Sequence, residues 1–182
     1  MELFCAHQDA HIAKQIEIGQ IPAPGFHEEV RAAALVKEFR RIGLADIEID
    51  PIGNALGWYR GSSPRALVLA AHLDTVFPAD TDVTVKRVGS RLNGPGIYDD
   101  TRGLIALLSI AEAIQRAHVA MHHSILFVCD VGEQGLGSLR GSRYLFREGK
   151  YRDFSTRSSP STAMATEESS RRRWAAVATA SS

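Results

Sequence analysis

Three short segments carry residue types able to do chemistry. The first is Ala70-Ala71-His72-Leu73-Asp74-Thr75-Val76. An apolar strand leads into it, and strand alternation sends the side chains of His72 and Asp74 to the same side. His72 could then bind a metal while Asp74 orients its imidazole. The second is Asn93-Gly94-Pro95-Gly96-Ile97-Tyr98-Asp99-Asp100-Thr101-Arg102-Gly103, where paired aspartates open a helix behind a glycine-rich turn. One carboxylate there could bridge two cations about 3.5–4 Å apart. The third is Asp130-Val131-Gly132-Glu133-Gln134-Gly135-Leu136-Gly137, in which a strand ends and Glu133 is presented between glycines. A carboxylate so placed could take a proton from an activated water. Each segment also fits a plainer reading: a satisfied core histidine, an aspartate helix cap, an exposed loop glutamate. A phosphate-binding loop fits less well, since acids stand where the anion would sit and no Gly-Lys-Ser/Thr follows.

The elements that must position these segments alternate between helical and strand patterns, which predicts an α/β or α+β layer fold. A first helix is expected over Leu3 to Ile18, stopped by Ile21-Pro22-Ala23-Pro24-Gly25. A second spans about His27 to Ile42, with Val30, Ala34, Leu35, Phe39 and Ile42 on one stripe and Gly43 ending it. Strands are expected at Asp46–Asp50, Ala55–Tyr59 and Ala66–Ala71, and another around Val83, Val85 and Val88 that turns at Gly89-Ser90. Asp100 to Ala117 reads as a long buried helix. Ser124 to Val131 is a continuous apolar strand, as in a sheet covered on both faces. Leu139 to Phe146 begins a further helix.

Composition narrows the class. The chain has 182 residues, with 21 Lys+Arg against 21 Asp+Glu. Zero net charge gives no reason to expect a nucleic-acid or anionic-membrane partner. Cys5 and Cys129 stand too far apart in sequence for a disulfide framework or a metal knuckle. No apolar run reaches the roughly 20 residues that span a bilayer. Glu2, His7, Gln8 and Asp9 stand where a signal peptide needs apolar residues, so the expected location is cytoplasmic. The balance conceals a break near Phe154. Of the 29 residues 154–182, 22 are Ser, Thr, Ala or Arg, whereas residues 1–153 carry 17 bases against 19 acids. The expected organisation is therefore an ordered domain over 1–153 and a solvated, disordered tail over 154–182. If Ser158, Ser159 and Ser161 use TCN codons, a frame shifted by two nucleotides makes three positions apolar (Ile, Val, Leu or Phe) and can read the run as apolar-apolar-Ala-apolar-Asp-Gly, a strand delivering an aspartate. That suggests a frameshift near Phe154, and sequencing the nucleic acid across the junction tests it.

Taken together, Ile21-Pro22-Ala23-Pro24, Asp50-Pro51-Ile52-Gly53-Asn54, His72-Leu73-Asp74, Gly94-Pro95-Gly96-Ile97-Tyr98-Asp99-Asp100 and Gly132-Glu133-Gln134-Gly135 resemble the dinuclear-zinc peptidase family of peptidase T, carboxypeptidase G and acetylornithine deacetylase. The resemblance covers roughly Ile16 to Lys150. It implies an α/β fold with a mixed sheet flanked by helices, a zinc-exopeptidase-like catalytic domain present only in its N-terminal part and thus truncated. It implies two zinc ions in the intact family, with His72 as a terminal ligand, Asp74 as its partner, Asp99 as the bridging ligand joined to Asp100 by a cis bond, and Glu133 as general base. Gln134 stands where relatives have a second, metal-binding Glu, so coordination there should be weak. A further acidic ligand, a distant histidine and an inserted dimerisation domain are not recognisable in this sequence. The expected activity is hydrolysis of peptide bonds in small peptides. The alternatives are deacylation of N-acyl amino acids, or an inactive remnant with at most partial metal occupancy.

Overall fold

Pro22 and Pro24 close the first helix as expected, and in the computed structural model, which describes residues 8–152, helix α1 runs Gln8–Gly19. Helix α2 follows at Glu29–Ile42 and ends on Gly43, whose φ of 87° lets its N–H reach back to the Phe39 and Arg40 carbonyls. Its buried face carries Arg31, Ala32, Leu35, Val36, Glu38, Phe39 and Ile42. Val30, expected on that stripe, is instead exposed. It lies in the first turn, about 100° round the helix from Arg31.

Strands β1 (Ala45–Ile49), β2 (Ala55–Tyr59) and β3 (Ser63–His72) come next. A small hairpin of β4 (Lys86–Val88) and β5 (Arg91–Asn93) stands as a separate two-stranded sheet. Helix α3 (Thr101–Arg116) then leads to β6 (His123–Asp130). The main sheet has the order β1-β2-β6-β3; β6 pairs antiparallel with β2 and parallel with β3, so the sheet is mixed. Two parallel strands cannot be joined by a tight turn, and α3 forms part of the crossover. Ser124 through Asp130 are all buried, which explains the unbroken apolar run in the sequence. Leu35, Phe39, Leu104, Leu108, Ile125 and Phe127 pack in the core between the sheet and α2 and α3. This is the expected α/β architecture of a mixed sheet flanked by helices.

Beyond β6 a 3-10 turn (Gly135–Gly137) precedes the short α4 (Arg140–Arg143) and a π-helical turn at Tyr144–Glu148, where the start of a helix was expected. The described residues belong to two units that divide after Ser142. In the second, Gly149 N–H donates to the Tyr144 carbonyl at 2.7 Å, and Leu145 and Tyr151 are buried. The tail 154–182 and its junction lie outside the described residues. Among the described residues no helix is long and apolar enough to cross a membrane.

An ion-pair network ties the three helices together. Glu38, on the inner side of α2, takes Lys14 of α1 at 2.9 Å and Arg41 at 2.8 Å, while Arg41 also reaches Glu112 of α3 at 3.2 Å. Burial pushes the Glu38 carboxyl up, but the hydrogen bonds and charges of Lys14 and Arg41 outweigh it, leaving its pKa below the ordinary value. Glu112 is lowered in the same way by Arg41, Arg116 and His11 against its own burial. Depressed carboxylates add stability above their unfolded pKa of about 4.3, and it is lost as pH falls through the lower folded values. Urea midpoints measured between pH 6 and 3 should therefore drop below about pH 4.5, and drop less in Glu38→Gln. Equal acid sensitivity in both proteins counts against the network.

Candidate active site

The register of two parallel strands assembles the site. His72, last residue of β3, lies opposite Asp130, last residue of β6. The segments leaving both strands therefore emerge side by side at the carboxyl end of the sheet, where open α/β sheets place their ligands. The Leu73 N–H donates to the Asp130 carbonyl at 2.7 Å and continues the pairing past the strand end. The Asp99-Asp100 pair enters from the start of α3, and the peptide bond between them is cis. Asp100 caps α3 by accepting from the Gly103 N–H at 3.0 Å, and its other oxygen accepts from the His72 N–H at 3.3 Å. A β-carbon on residue 103 would fall 2.2 Å from the Asp100 carboxylate, so this cap requires glycine there.

The five residues singled out for the site come together. His72 Nε2 lies 3.0 Å from Asp99 Oδ1 and 4.0 Å from Glu133 Oε2. Gln134 Nε2 donates to Asp99 Oδ2 at 2.7 Å. The His72 and Asp74 side chains are buried, whereas Glu133 and Asp99 are open to solvent. The Asp74 carboxylate does something the sequence did not suggest. Its two oxygens accept the backbone N–H groups of Glu133 at 2.8 Å and Gln134 at 2.9 Å. The nearest acceptor for His72 Nδ1 is the Asp74 carbonyl oxygen at 3.0 Å, with the carboxylate 3.6 Å away. Asp74 thus orients the imidazole chiefly through its main chain, and its side chain holds the Glu133 loop.

Charge in this cluster is strongly coupled. Burial opposes the His72 imidazolium, yet hydrogen bonding to Asp74 and the charges of Asp100, Asp74 and Glu133 prevail, pushing its pKa up to about 10. Burial also works against the Asp74 carboxylate, but His72 and the two loop amides hold its pKa below the ordinary value. Asp100 goes the other way: burial outweighs His72 and its backbone donors and raises it. Asp130, also driven by burial, is raised to about 6, with the Ser142 hydroxyl donating to it at 2.5 Å.

Several supporting residues had no assigned role in the sequence reading. Asp50 accepts the N–H groups of Ile52, Gly53 and Asn54 at 2.9–3.1 Å, forming the turn before β2. The fully buried Asn54 accepts from Val131 N–H at 3.0 Å and donates to the Gly141 carbonyl at 3.1 Å, holding the exit of β6. Arg31 is buried, with its pKa lowered by burial to about 10 despite the pull of Asp74. It donates to the Leu73 carbonyl at 2.8 Å and to the Ile21 carbonyl at 3.1 Å, tying the Pro22-Pro24 turn to the strand end. Glu28, only 3% exposed, contacts the Gly132 loop. A signal existed for these last two: Glu28 and Arg31 fall in helical register with Leu35, Phe39 and Ile42.

Zinc takes four ligands from nitrogen, sulfur and oxygen donors. Here an imidazole and a two-oxygen carboxylate converge, joined by one neutral amide. Among the described residues no group of three or more His, Cys, Asp or Glu is arranged to hold a metal ion. The His72 imidazole, the Asp99 carboxylate and the Gln134 amide fit part of such a ligand set.

The sequence model described as peptidase family M28 matches residues 54–166, a span that includes His72, Asp74, Asp99, Glu133 and Gln134. The chain belongs to this family. The M28 assignment agrees with the peptidase resemblance of the motifs. The chain is similar to a [LysW]-lysine hydrolase of Deinococcus radiodurans, 32% identical over 143 residues that make up 77% of this chain and 38% of that protein. Among solved structures it resembles a Staphylococcus aureus tripeptidase at 25% identity and TM-score 0.58, covering 72% of this chain and 38% of that one. Human carnosine dipeptidase 1 shares the fold at 18% identity and TM-score 0.65, covering 83% of this chain and 38% of that one. The chain thus spans about two-fifths of the length of these relatives.

Proposed function

We propose that this M28 chain carries the N-terminal part of a metal-dependent hydrolase that cleaves peptide bonds in small peptides, with Glu133 as general base. The observation that carries the reading is the convergence of His72, Asp99, Glu133 and Gln134 at the carboxyl ends of β3 and β6. His72 and Asp99 would hold a divalent metal, zinc by the resemblance, and Gln134 would contribute a neutral oxygen after rotation of its amide. When bound, the metal supplies Lewis-acid polarisation of the scissile carbonyl and eases deprotonation of the attacking water. The chain's own residues handle the proton. Glu133, half-exposed, accepts it from the water as the new C–O bond forms, then returns it to the leaving nitrogen as the C–N bond breaks. Asp74 keeps the Glu133 backbone fixed during both transfers.

A second reading, hydrolysis of the amide of an N-acylated amino acid, is favoured by the 32% identity to a relative named as a hydrolase and not as a peptidase. Both use the same groups and differ in what surrounds the leaving nitrogen. The neutral amide of Gln134 in place of a charged donor makes weak metal binding the expectation.

The test is zinc titration calorimetry with hydrolysis assays on tripeptides and N-acyl amino acids. Gln134→Glu restores a charged donor and should tighten zinc binding by about tenfold or more, since affinity tracks ligand charge. Zinc affinity unmoved by that substitution removes Gln134 from the metal side of the site. Hydrolysis of neither substrate class by zinc-loaded protein counts against the catalytic reading.

A further inference from the structure

We propose that Glu28, together with Arg140, is a positioning residue that seats the loop carrying Glu133; this rests on the reading of Glu133 as the base. Glu28 occupies the N-cap position of α2, yet its side chain makes no capping bond to that helix. It is buried and turned across the molecule, where Oε1 accepts the Gly132 N–H at 3.1 Å. The Phe26 N–H reaches the same oxygen at 3.0 Å. Arg140 Nη2 meets both carboxylate oxygens, at 3.2 and 3.1 Å, and the guanidinium lies over the Phe26 ring at 4.8 Å.

The Gly132 peptide is held from both ends. Its N–H goes to Glu28, and its carbonyl accepts the Arg140 N–H at 3.0 Å. Gly132 sits at φ 60°, and a β-carbon there would come 2.9 Å from Arg140 Nε, so arginine and loop pack without a spare methyl group. The next two amides, of Glu133 and Gln134, go to Asp74. All three consecutive N–H groups of the loop therefore end on carboxylates of buried residues, one from the start of α2 and one from the end of β3. Charge-assisted bonds of this kind are roughly twice as strong as neutral ones. They fix the main chain of residue 133 and leave its side chain unencumbered toward the site. Glu28 itself touches none of the reacting groups. Its side chain makes no cap bond to α2; besides the Phe26 N–H, its carboxylate is engaged by Gly132 and Arg140, on either side of the Glu133 loop.

Amide hydrogen exchange of the full chain, with kinetics on whichever substrate class is cleaved, tests this. In Glu28→Ala, exchange at Gly132–Gln134 should rise about tenfold to a hundredfold, the range of a bond to a charged acceptor, while amides of β6 stay protected. kcat should fall by a similar factor with KM within about twofold, because the base is displaced and substrate binding is not. Glu28→Gln keeps an acceptor oxygen without the charge. It should restore part of the protection and rate, leaving exchange at Gly132–Gln134 about threefold or more faster than in the unsubstituted chain, and it serves as the reporter if the alanine variant does not fold. Loop exchange unchanged in either folded variant overturns the proposal. So does a rise shared equally by β6, or a looser loop with kcat intact. If the unsubstituted chain cleaves neither substrate class, the catalytic reading fails by itself, and loop exchange alone decides whether Glu28 seats the loop.

Discussion

Glu133→Gln is expected to lower kcat by about 10²–10⁴-fold, the usual contribution of a positioned general base. The substitution removes a proton acceptor and little else. Glu133 is anchored by its backbone N–H to Asp74, a bond that glutamine keeps, and its side chain is half-exposed; the buried His72, 4.0 Å from Glu133 Oε2, keeps its 3.0 Å contact with Asp99. Fold and stability should be preserved, with the urea midpoint unchanged within error. Zinc affinity should also change little, since Glu133 Oε2 stands 4.0 Å from His72 Nε2, outside the closest contacts of the cluster. The measurement is kcat on the cleaved substrate class beside calorimetric zinc binding. Activity retained above about a tenth of the unsubstituted level is incompatible with Glu133 as base. A large loss of zinc together with activity would reassign Glu133 from base to ligand.

Asp74→Ala should act on stability as well as on rate. Its carboxylate is 1% exposed, accepts the amides of Glu133 and Gln134, and faces a strongly basic His72. Removing it strands two amides and an imidazolium near the core, and breaking a buried charged pair typically costs about 3–5 kcal/mol. Equilibrium urea denaturation reads this as a lower midpoint at unchanged slope. Asp74→Asn keeps one acceptor oxygen and should recover part of the loss. The pH dependence has a defined sign. The Asp74 pKa is depressed on folding, so its contribution is present above the unfolded carboxylate value of about 3.9 and is lost as pH falls through the lower folded one. The difference between wild type and Asp74→Ala should therefore shrink in acid. A loss under about 1 kcal/mol at neutral pH would mean that water replaces the carboxylate at the loop amides.

How much of this was legible beforehand varies by residue. His72, Asp74, Asp99 and Glu133 could be named from sequence because each follows or ends an apolar strand or opens a helix, and such ends carry functional groups in α/β sheets. The use of the Asp74 carboxylate could not be foreseen. Alternation sets the side of the sheet a residue faces, but its acceptors and donors come from a segment about 60 residues later in the chain. Arg31 and Glu28 were passed over although they share the register of an apolar stripe, since charged residues at a helix start ordinarily face water. The stretch from Leu139 to Phe146 reads as the start of a helix, and the structure is helical there, with a short α-helix that passes into a π-helical turn. Local propensity does not distinguish the hydrogen-bond period of so short a segment.

Sequence by itself determined the layer class, the order of helices and strands, and the residues with chemistry to offer. Those follow from periodicity and residue type, which are local properties. Tertiary structure alone decided the partners: the pairing of β3 with β6 that sets His72 opposite Asp130, the sharing of one loop between Glu28 and Asp74, and the contacts that bring His72, Asp99, Glu133 and Gln134 together. These depend on strand register and on contacts between residues as many as 112 positions apart. Such contacts become favourable only once the core has brought the two segments together.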